Sequence, residues 1–267
     1  MTKTERLSLI AVNVGSTRVA ACAIHDGAPG DVVHAPSDKP AVAAELVAAL
    51  ASDAADEGPT AVVIASVNPP AARAFVTALT PRITTGVYLL GADLPIPQPH
   101  TLGADHTTGQ DRLLNALAAF DTIREACVVV DAGTAVTVDF IDGEGVFHGG
   151  AIAPGARMQL AALHAGTASL PEVEFAAPLS AEPFPKTTIE AMRAGVAIGV
   201  RGMVRAMVER YAEAFGAYPR VIATGGDAQM LFAGDEFVDS IVPDLTLRGI
   251  GVAAREALAG EHSDARR

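Results

Sequence analysis

Lysine is nearly missing from this chain, occurring only at Lys3, Lys39 and Lys186. With a formal net charge of −12 and no basic stretch, the sequence argues against nucleic acid or anionic membrane as a main partner, since both are bound through clustered cations. An anionic substrate would have to be met by backbone amides, isolated positive groups or a bound cation. Cysteine is equally scarce. Cys22 and Cys127 each lie in an apolar stretch and read as small buried hydrophobes rather than as ligands or a disulfide. No apolar run approaches the ~18–20 residues needed to span a bilayer, and the N-terminal Met-Thr-Lys-Thr-Glu-Arg lacks the apolar region of a secretion signal. A cytoplasmic protein is expected. Half of the 267 residues are hydrophobic, enough for one large or two ordinary domains with a sizeable core.

What the chain does have is a repeated turn. Residues 127–130 form a β-branched run ending in Asp131, and residues 135–141 are again mostly β-branched and apolar, so Asp131-Ala-Gly133-Thr134 lies where the chain reverses. A carboxylate, a glycine whose backbone can approach a ligand and a hydroxyl at the end of buried strands suit a phosphate and its metal ion. One such turn is equally well a hairpin with a structural glycine. A second copy shifts the balance: Asn13-Val14-Gly15-Ser16-Thr17 sits between two apolar stretches 118 residues earlier (13 to 131). Both copies run strand, Asx, any residue, Gly, hydroxyl residue, strand, then Asp-Gly. Two related α/β domains facing each other are expected, at 1–120 and 121–267.

Along the chain, strands are expected at 7–25 around the first turn, 31–35, 61–67 and 86–90, with helices at 40–51 and from Pro69-Pro70 to about Leu79. Residues 91–108 form a long loop rich in proline, glycine, histidine and aspartate, of the kind that is usually functional. It ends in Gly109-Gln110-Asp111-Arg112, which opens an amphipathic helix reaching about Phe120. After the second turn, Gly145-Val-Phe-His-Gly149-Gly150-Ala-Ile-Ala-Pro154-Gly155 is expected to be a glycine-rich loop entering a helix at 156–165. Thr187 and Glu190 are spaced as a capping box at the start of a long helix reaching about Phe215. Gly195, Gly199 and Gly202 fall on nearly one face of it, permitting close helix contact. A strand at 220–223 runs into Thr224-Gly225-Gly226-Asp227, a third candidate nucleotide turn. Pro243-Asp244-Leu-Thr-Leu-Arg248-Gly249 leads into a last helix, and 260–267 reads as a frayed polar tail.

Taken in order, these motifs resemble those of type III pantothenate kinases, within the acetate and sugar kinase/actin-like ATPase superfamily, from about residue 8 to about 258. The resemblance implies two RNase H-like domains across a nucleotide cleft, a homodimer, and phosphorylation of pantothenate by ATP to 4′-phosphopantothenate, the first step of coenzyme A synthesis. It assigns Asp111 as general base, accepting the proton of the pantothenate alcohol, with Gly109, Gln110, Asp111 and Arg112 lining the substrate and Thr188 contacting it. Asn13, Val14, Gly15, Ser16, Thr17, Arg18, Val19 and Ala20 match the first ATP loop, and Thr134 matches an ATP-phosphate contact. Asp131 matches the position that binds a monovalent cation, K⁺ or ammonium, while Mg²⁺ accompanies the nucleotide. Phosphoryl transfer asks a protein mainly to position groups and balance charge, and these residues are of that kind.

The sequence departs from the family pattern at two places. The first loop carries Asn13 where the family has aspartate, which removes a charge that helps hold Mg²⁺. No tyrosine lies between Tyr88 and Gly109, and Gly103-Ala104-Asp105-His106 is a decoy copy of the base motif; Gly109–Arg112 is preferred because the helix follows directly. Two other readings stand beside the kinase: a non-catalytic relative that binds ligand, and a kinase for another small alcohol.

Overall fold

The computed structural model describes residues 8–25, 27–56, 58–177 and 183–264, with side chains as far as 257. The hexapeptide at the N-terminus and the last three residues of the expected tail therefore lie outside the described residues. The chain divides into two compact units. The first comprises residues 1–99, 103–122 and 244–267, and the second 100–102 and 123–243.

In the first unit, β1 (Ser8–Val14) and β2 (Arg18–His25) form the expected hairpin, extended by the short β3 (Ala28–Pro29) and β4 (Val33–Pro36). Helix α1 (Pro40–Ala55) then leads to β5 (Thr60–Ser66), parallel to β1, and α2 (Pro69–Leu79) leads to β6 (Gly86–Leu89), parallel to β5. Asn68 stops β5 and starts α2, its side-chain oxygen accepting from the Ala71 amide at 3.3 Å while prolines occupy the first turn. Strand alternation sends Ile10, Val12, Val62 and Ile64 to one face against Ala43, Val47, Phe75 and Leu79 of α1 and α2. Ala11, Cys22 and Val63 face the opposite way, under α3 (Gln110–Ile123) and α7 (Leu245–Asp264).

That second layer changes the expected division of the chain. Leu247 and Ile250 of α7 are buried with Ala11, Cys22 and Val63, so residues 244–267 belong with the first unit although they follow the second in sequence. The backbone of α7 also stays helical through Asp264, into the stretch expected to be frayed.

The second unit repeats the plan. β7 (Cys127–Ala132), β8 (Ala135–Ile141) and β9 (Phe147–Pro154) form an antiparallel meander, followed by α4 (Ala156–Ala165) and α5 (Thr188–Phe215). β10 (Arg220–Thr224) returns parallel to β7, and α6 (Ala228–Phe232) and β11 (Ser240–Ile241) complete the sheet in the order β11-β10-β7-β8-β9. The first sheet reads β6-β5-β1-β2 with β3 and β4 on β2. Both units thus have an RNase H-like core with the hairpin turn at the carboxyl end of the first strand, as the repeated motif suggested. Val128, Val130, Val136 and Val138 pack under Leu160 of α4 and Val196 and Val200 of α5.

One local expectation fails. Gly149 and Gly150 belong to β9 rather than to a loop. Gly150 pairs opposite Asp139, where a Cβ would overlap the Val138 carbonyl, and Gly149, at φ +98°, lies beside a register shift at Phe140/Ile141. Glycine marks close strand approach here, and the chain leaves the sheet only at Gly155. Among the described residues no helix is long and apolar enough to cross a membrane.

The crossing of α7 over α3 is equally tight. A Cβ on Gly249 would overlap the backbone carbonyl of Leu114. Gly249→Ala is therefore expected to destabilise the protein by about 1–3 kcal/mol, despite the better helix propensity of alanine. A urea or thermal unfolding midpoint equal to or above that of the parent would show that the helices do not approach this closely.

Candidate active site

The first-loop residues lie where β1 turns into β2. Asn13 and Val14 are the last residues of β1, Arg18 to Ala20 begin β2, and Gly15-Ser16-Thr17 form the turn. The Gly15 amide donates to the Arg18 carbonyl at 2.9 Å, closing the turn, and Ser37 braces it by donating its hydroxyl to the Gly15 carbonyl at 3.0 Å and its amide to Thr17 at 3.1 Å. Ser16, Thr17 and Arg18 are exposed while Asn13 is half-buried, facing Ala20 across the hairpin and Ala65 of β5.

The structure brings this loop and the Gly109–Arg112 segment to one place, the end of β5. Ser66, its last residue, donates its hydroxyl to the Val14 carbonyl at 3.0 Å and its amide to the side-chain oxygen of Gln110 at 3.0 Å. Nothing in the sequence analysis singled out Ser66. Its signal was positional: it ends the parallel strand next to β1, as Thr224 ends the corresponding strand of the second unit.

Asp111 stands in the first turn of α3. Its Oδ1 accepts from the Arg112 amide at 2.8 Å. A Cβ on Gly109 would come within 2.5 Å of the same oxygen, so glycine at 109 makes room for the carboxyl group. Desolvation dominates its electrostatics and lifts its pKa above the ordinary 3.8, although the Arg112 amide and guanidinium pull the other way. A carboxyl group lifted by burial is a stronger base once ionised, which suits general-base work near neutral pH. Asp105 of the decoy motif, by contrast, is exposed in a turn and opens no helix.

In the second unit the Asp131–Thr134 turn is flanked by glycine backbone on two sides. The Gly155 amide donates to the Thr134 carbonyl at 3.0 Å, and a Cβ there would overlap the carbonyls of Gly133 and Thr134. Gly225, at φ +94°, approaches so closely that a Cβ would overlap both Asp131 Oδ1 and the Ala132 carbonyl. The Asp227 amide donates to that same carbonyl at 2.9 Å. Asp131 itself pairs with Thr137 of β8 and Thr224 of β10. A carboxylate oxygen and a carbonyl oxygen thus lie against Gly225 at a distance that only a residue without a side chain allows.

Two further residues hold these loops. Buried Asp227 accepts from Arg157 in the first turn of α4, tying the Thr-Gly-Gly-Asp turn to the Pro-Gly loop; the separation of 70 residues left no trace in the sequence. At the start of α5, Thr187 is the cap, its hydroxyl accepting from the Glu190 amide and its own amide bonded to the Glu190 carboxylate. Thr188, the candidate substrate threonine, is thereby left out of the capping box. The long loop at 91–108 is anchored midway: Thr101 donates its amide to Phe147 at 3.0 Å, and its hydroxyl lies 3.4 Å from His148, whose other ring nitrogen meets Asp142 at 2.6 Å. Burial would raise the Asp142 pKa, but His148 and the Val146 and Glu144 amides hold it below the usual value. Cys22 and Cys127 are fully buried, and burial first of all pushes both thiols up to about 12, as their reading as core residues requires.

Residues 9–210 match the type III pantothenate kinase family. The chain belongs to that family. A type III pantothenate kinase from Rhodospirillum rubrum is 42% identical over 166 residues, 62% of each chain, and one from Syntrophotalea carbinolica is 34% identical over 191 residues, 72% of this chain and 74% of that one. The matched stretch thus spans less than two thirds of the Rhodospirillum protein's length. Among solved structures, a Campylobacter jejuni protein described as a Baf family transcriptional activator aligns over 94% of this chain with a TM-score of 0.57 at 21% identity. MreB5 of Spiroplasma citri bound to ADP aligns over 97% with a TM-score of 0.50 at 10% identity. At such identities the likeness is one of fold, that of actin-like ATPases. The pantothenate kinase family match includes the Asn13 loop, Asp111, the Asp131 turn and Thr188, and stops short of Asp227 and α7.

The raised pKa of Asp111 has a stability consequence. A carboxyl group with a higher pKa folded than unfolded binds more protons when folded, so stability falls as pH climbs from the ordinary 3.8 through the raised value, and the loss is complete above it. Asp111→Asn, which keeps the shape and removes the charge, should raise the melting temperature at pH 7 and leave it nearly unchanged at pH 3. An equal change at both values would mean that the carboxyl group is not desolvated.

Proposed function

We propose that the chain is an ATP-dependent pantothenate kinase in which Asp111 is the general base. The observation that carries this reading is a desolvated carboxyl group at the start of α3, in a Gly-Gln-Asp-Arg motif held against the first loop through Ser66. The Asp111 carboxylate takes the proton of the primary alcohol of pantothenate as that oxygen forms its bond to the γ-phosphorus. The bond from the γ-phosphorus to the β–γ bridging oxygen breaks, giving 4′-phosphopantothenate and ADP. In the first unit Gly109, Asp111 and Arg112 line the substrate and Asn13 to Ala20 take nucleotide phosphates; in the second, the family resemblance assigns Thr188 a substrate contact and Thr134 a phosphate contact.

Mg²⁺ bound with ATP supplies charge neutralisation at the phosphates, toward which the first loop offers the Asn13 amide oxygen and the Ser16 hydroxyl. Asp131 is assigned a monovalent cation, K⁺ or ammonium, by its place in the family motif. The working unit is a homodimer. On α5, Gly195, Gly199 and Gly202 have nothing within reach of an added Cβ, and Ile198 beside them is 68% exposed, an apolar face with small residues that a second copy would cover. The protein works in the cytoplasm.

A coupled assay with pantothenate, ATP, Mg²⁺ and K⁺ is expected to give phosphopantothenate, and Asp111→Asn to lower kcat by about 10²–10⁴-fold with the fold intact. Calorimetric binding of pantothenate without turnover would replace the kinase by a ligand-binding relative, and turnover of a different alcohol would reassign the substrate. Because Asn13 lacks a charge, Asn13→Asp should lower the Mg²⁺ concentration for half-maximal rate. An unchanged requirement would show that another group already holds the metal.

A further inference from the structure

Gln110 looks like a substrate contact by its place in the motif, but its side chain is engaged elsewhere. Its Oε1 accepts from the Ser66 amide at 3.0 Å, and its Nε2 donates to the Leu90 carbonyl at 2.7 Å. The two partners fix the orientation of the carboxamide, since an amide can only donate and a carbonyl only accept. They also belong to one rung. β5 and β6 pair in parallel as far as Ile64 and Leu89, and the Leu90 amide still donates to the Ile64 carbonyl at 2.8 Å. In a regular parallel ladder the next bond would run from the Ser66 amide to the Leu90 carbonyl. The carboxamide is inserted into that bond, a peptide-like group acting as a short piece of strand.

The surroundings are shaped for this insertion. Gly91 has φ +83°, and a Cβ on it would lie 2.6 Å from Nε2 of Gln110. The Ser66 hydroxyl accepts from the Asn68 amide at 2.9 Å and donates to Val14, so the rung is braced on both sides. Gln110 is the first residue of α3 and Asp111 the second. Whatever fixes the Gln110 carboxamide therefore fixes the direction in which α3 starts and the place of the next side chain.

We propose that Gln110 is a positioning residue, whose carboxamide pins the first turn of α3 to the ends of β5 and β6 and so holds Asp111 in its working geometry without touching pantothenate. The inference rests on the reading of Asp111 as general base. Displacing a base by about an ångström costs on the order of 10²-fold in rate, whereas losing a ground-state substrate contact raises KM at unchanged kcat.

The test is a double-mutant cycle in the phosphopantothenate assay. Gln110→Met, of similar length with neither donor nor acceptor, should lower kcat by about ten- to hundredfold with KM for pantothenate within about twofold. In the Asp111→Asn background the same change should have no further effect, because there is no base left to misplace. Amide hydrogen exchange at Ser66 should speed up in Gln110→Met. If Gln110→Met does not fold, Gly91→Ala applies the test by crowding the carboxamide from the other side, and the same loss of kcat is expected. A raised KM with kcat retained, or an equal loss in both backgrounds, would overturn the positioning role and return Gln110 to the substrate. A parent protein without phosphopantothenate activity would instead remove the kinase reading, and this inference with it.

Discussion

A sheet has to end, and the backbone groups left over at its last rung must find partners or stay in water. In both units the candidate residues gather at the carboxyl ends of the central strands, where open α/β sheets characteristically receive ligands. The first unit closes its last rung with a side chain, the Gln110 carboxamide between Ser66 and Leu90. The second closes its own with backbone, the Asp227 amide on the Ala132 carbonyl and the Gly155 amide on Thr134. The first solution delivers a helix whose second residue is Asp111. The second delivers glycine-lined space around Asp131.

The two solutions carry different charges. The first rung is closed by neutral groups, and at the neighbouring Asp111 desolvation outweighs the opposing pull of Arg112. In the second unit the Thr-Gly-Gly-Asp turn is secured by an ion pair, with Asp227 buried and Arg157 still partly exposed. Leaving a carboxyl group buried that deeply without such a partner would be costly. Arg157 therefore has a structural task that a neutral side chain of the same length would not perform.

Much of this was legible in the sequence because it is local. β-Branched runs gave the central strands, Pro69-Pro70 and Thr187-x-x-Glu190 gave helix starts, and the repeated Asx-x-Gly-hydroxyl pattern gave the duplicated hairpin. What escaped depends on partners far along the chain. Nothing local ties Gln110 to Ser66, 44 positions away, whose amide donates to it. Gly149 and Gly150 read as a loop because glycine normally interrupts strands, whereas here its missing side chain lets β9 lie against Asp139. The last helix was assigned by chain order to the second domain, yet its apolar face matches the sheet built by residues 8 to 89.

The substitution at Asn13 is best understood against this background. Asn13 precedes Val14, whose carbonyl is bonded to Ser66, which is bonded to Gln110, which precedes Asp111. The first-loop Asx and Asp111 are thus parts of one hydrogen-bonded strand end. A carboxylate at 13 would bring a second negative charge to that end, and like charges raise one another's pKa. Asp111 is already lifted by desolvation, so a negative charge added at that end would act in the same direction. An amide at 13 spares Asp111 that addition. In the second unit the matching position keeps its aspartate, Asp131.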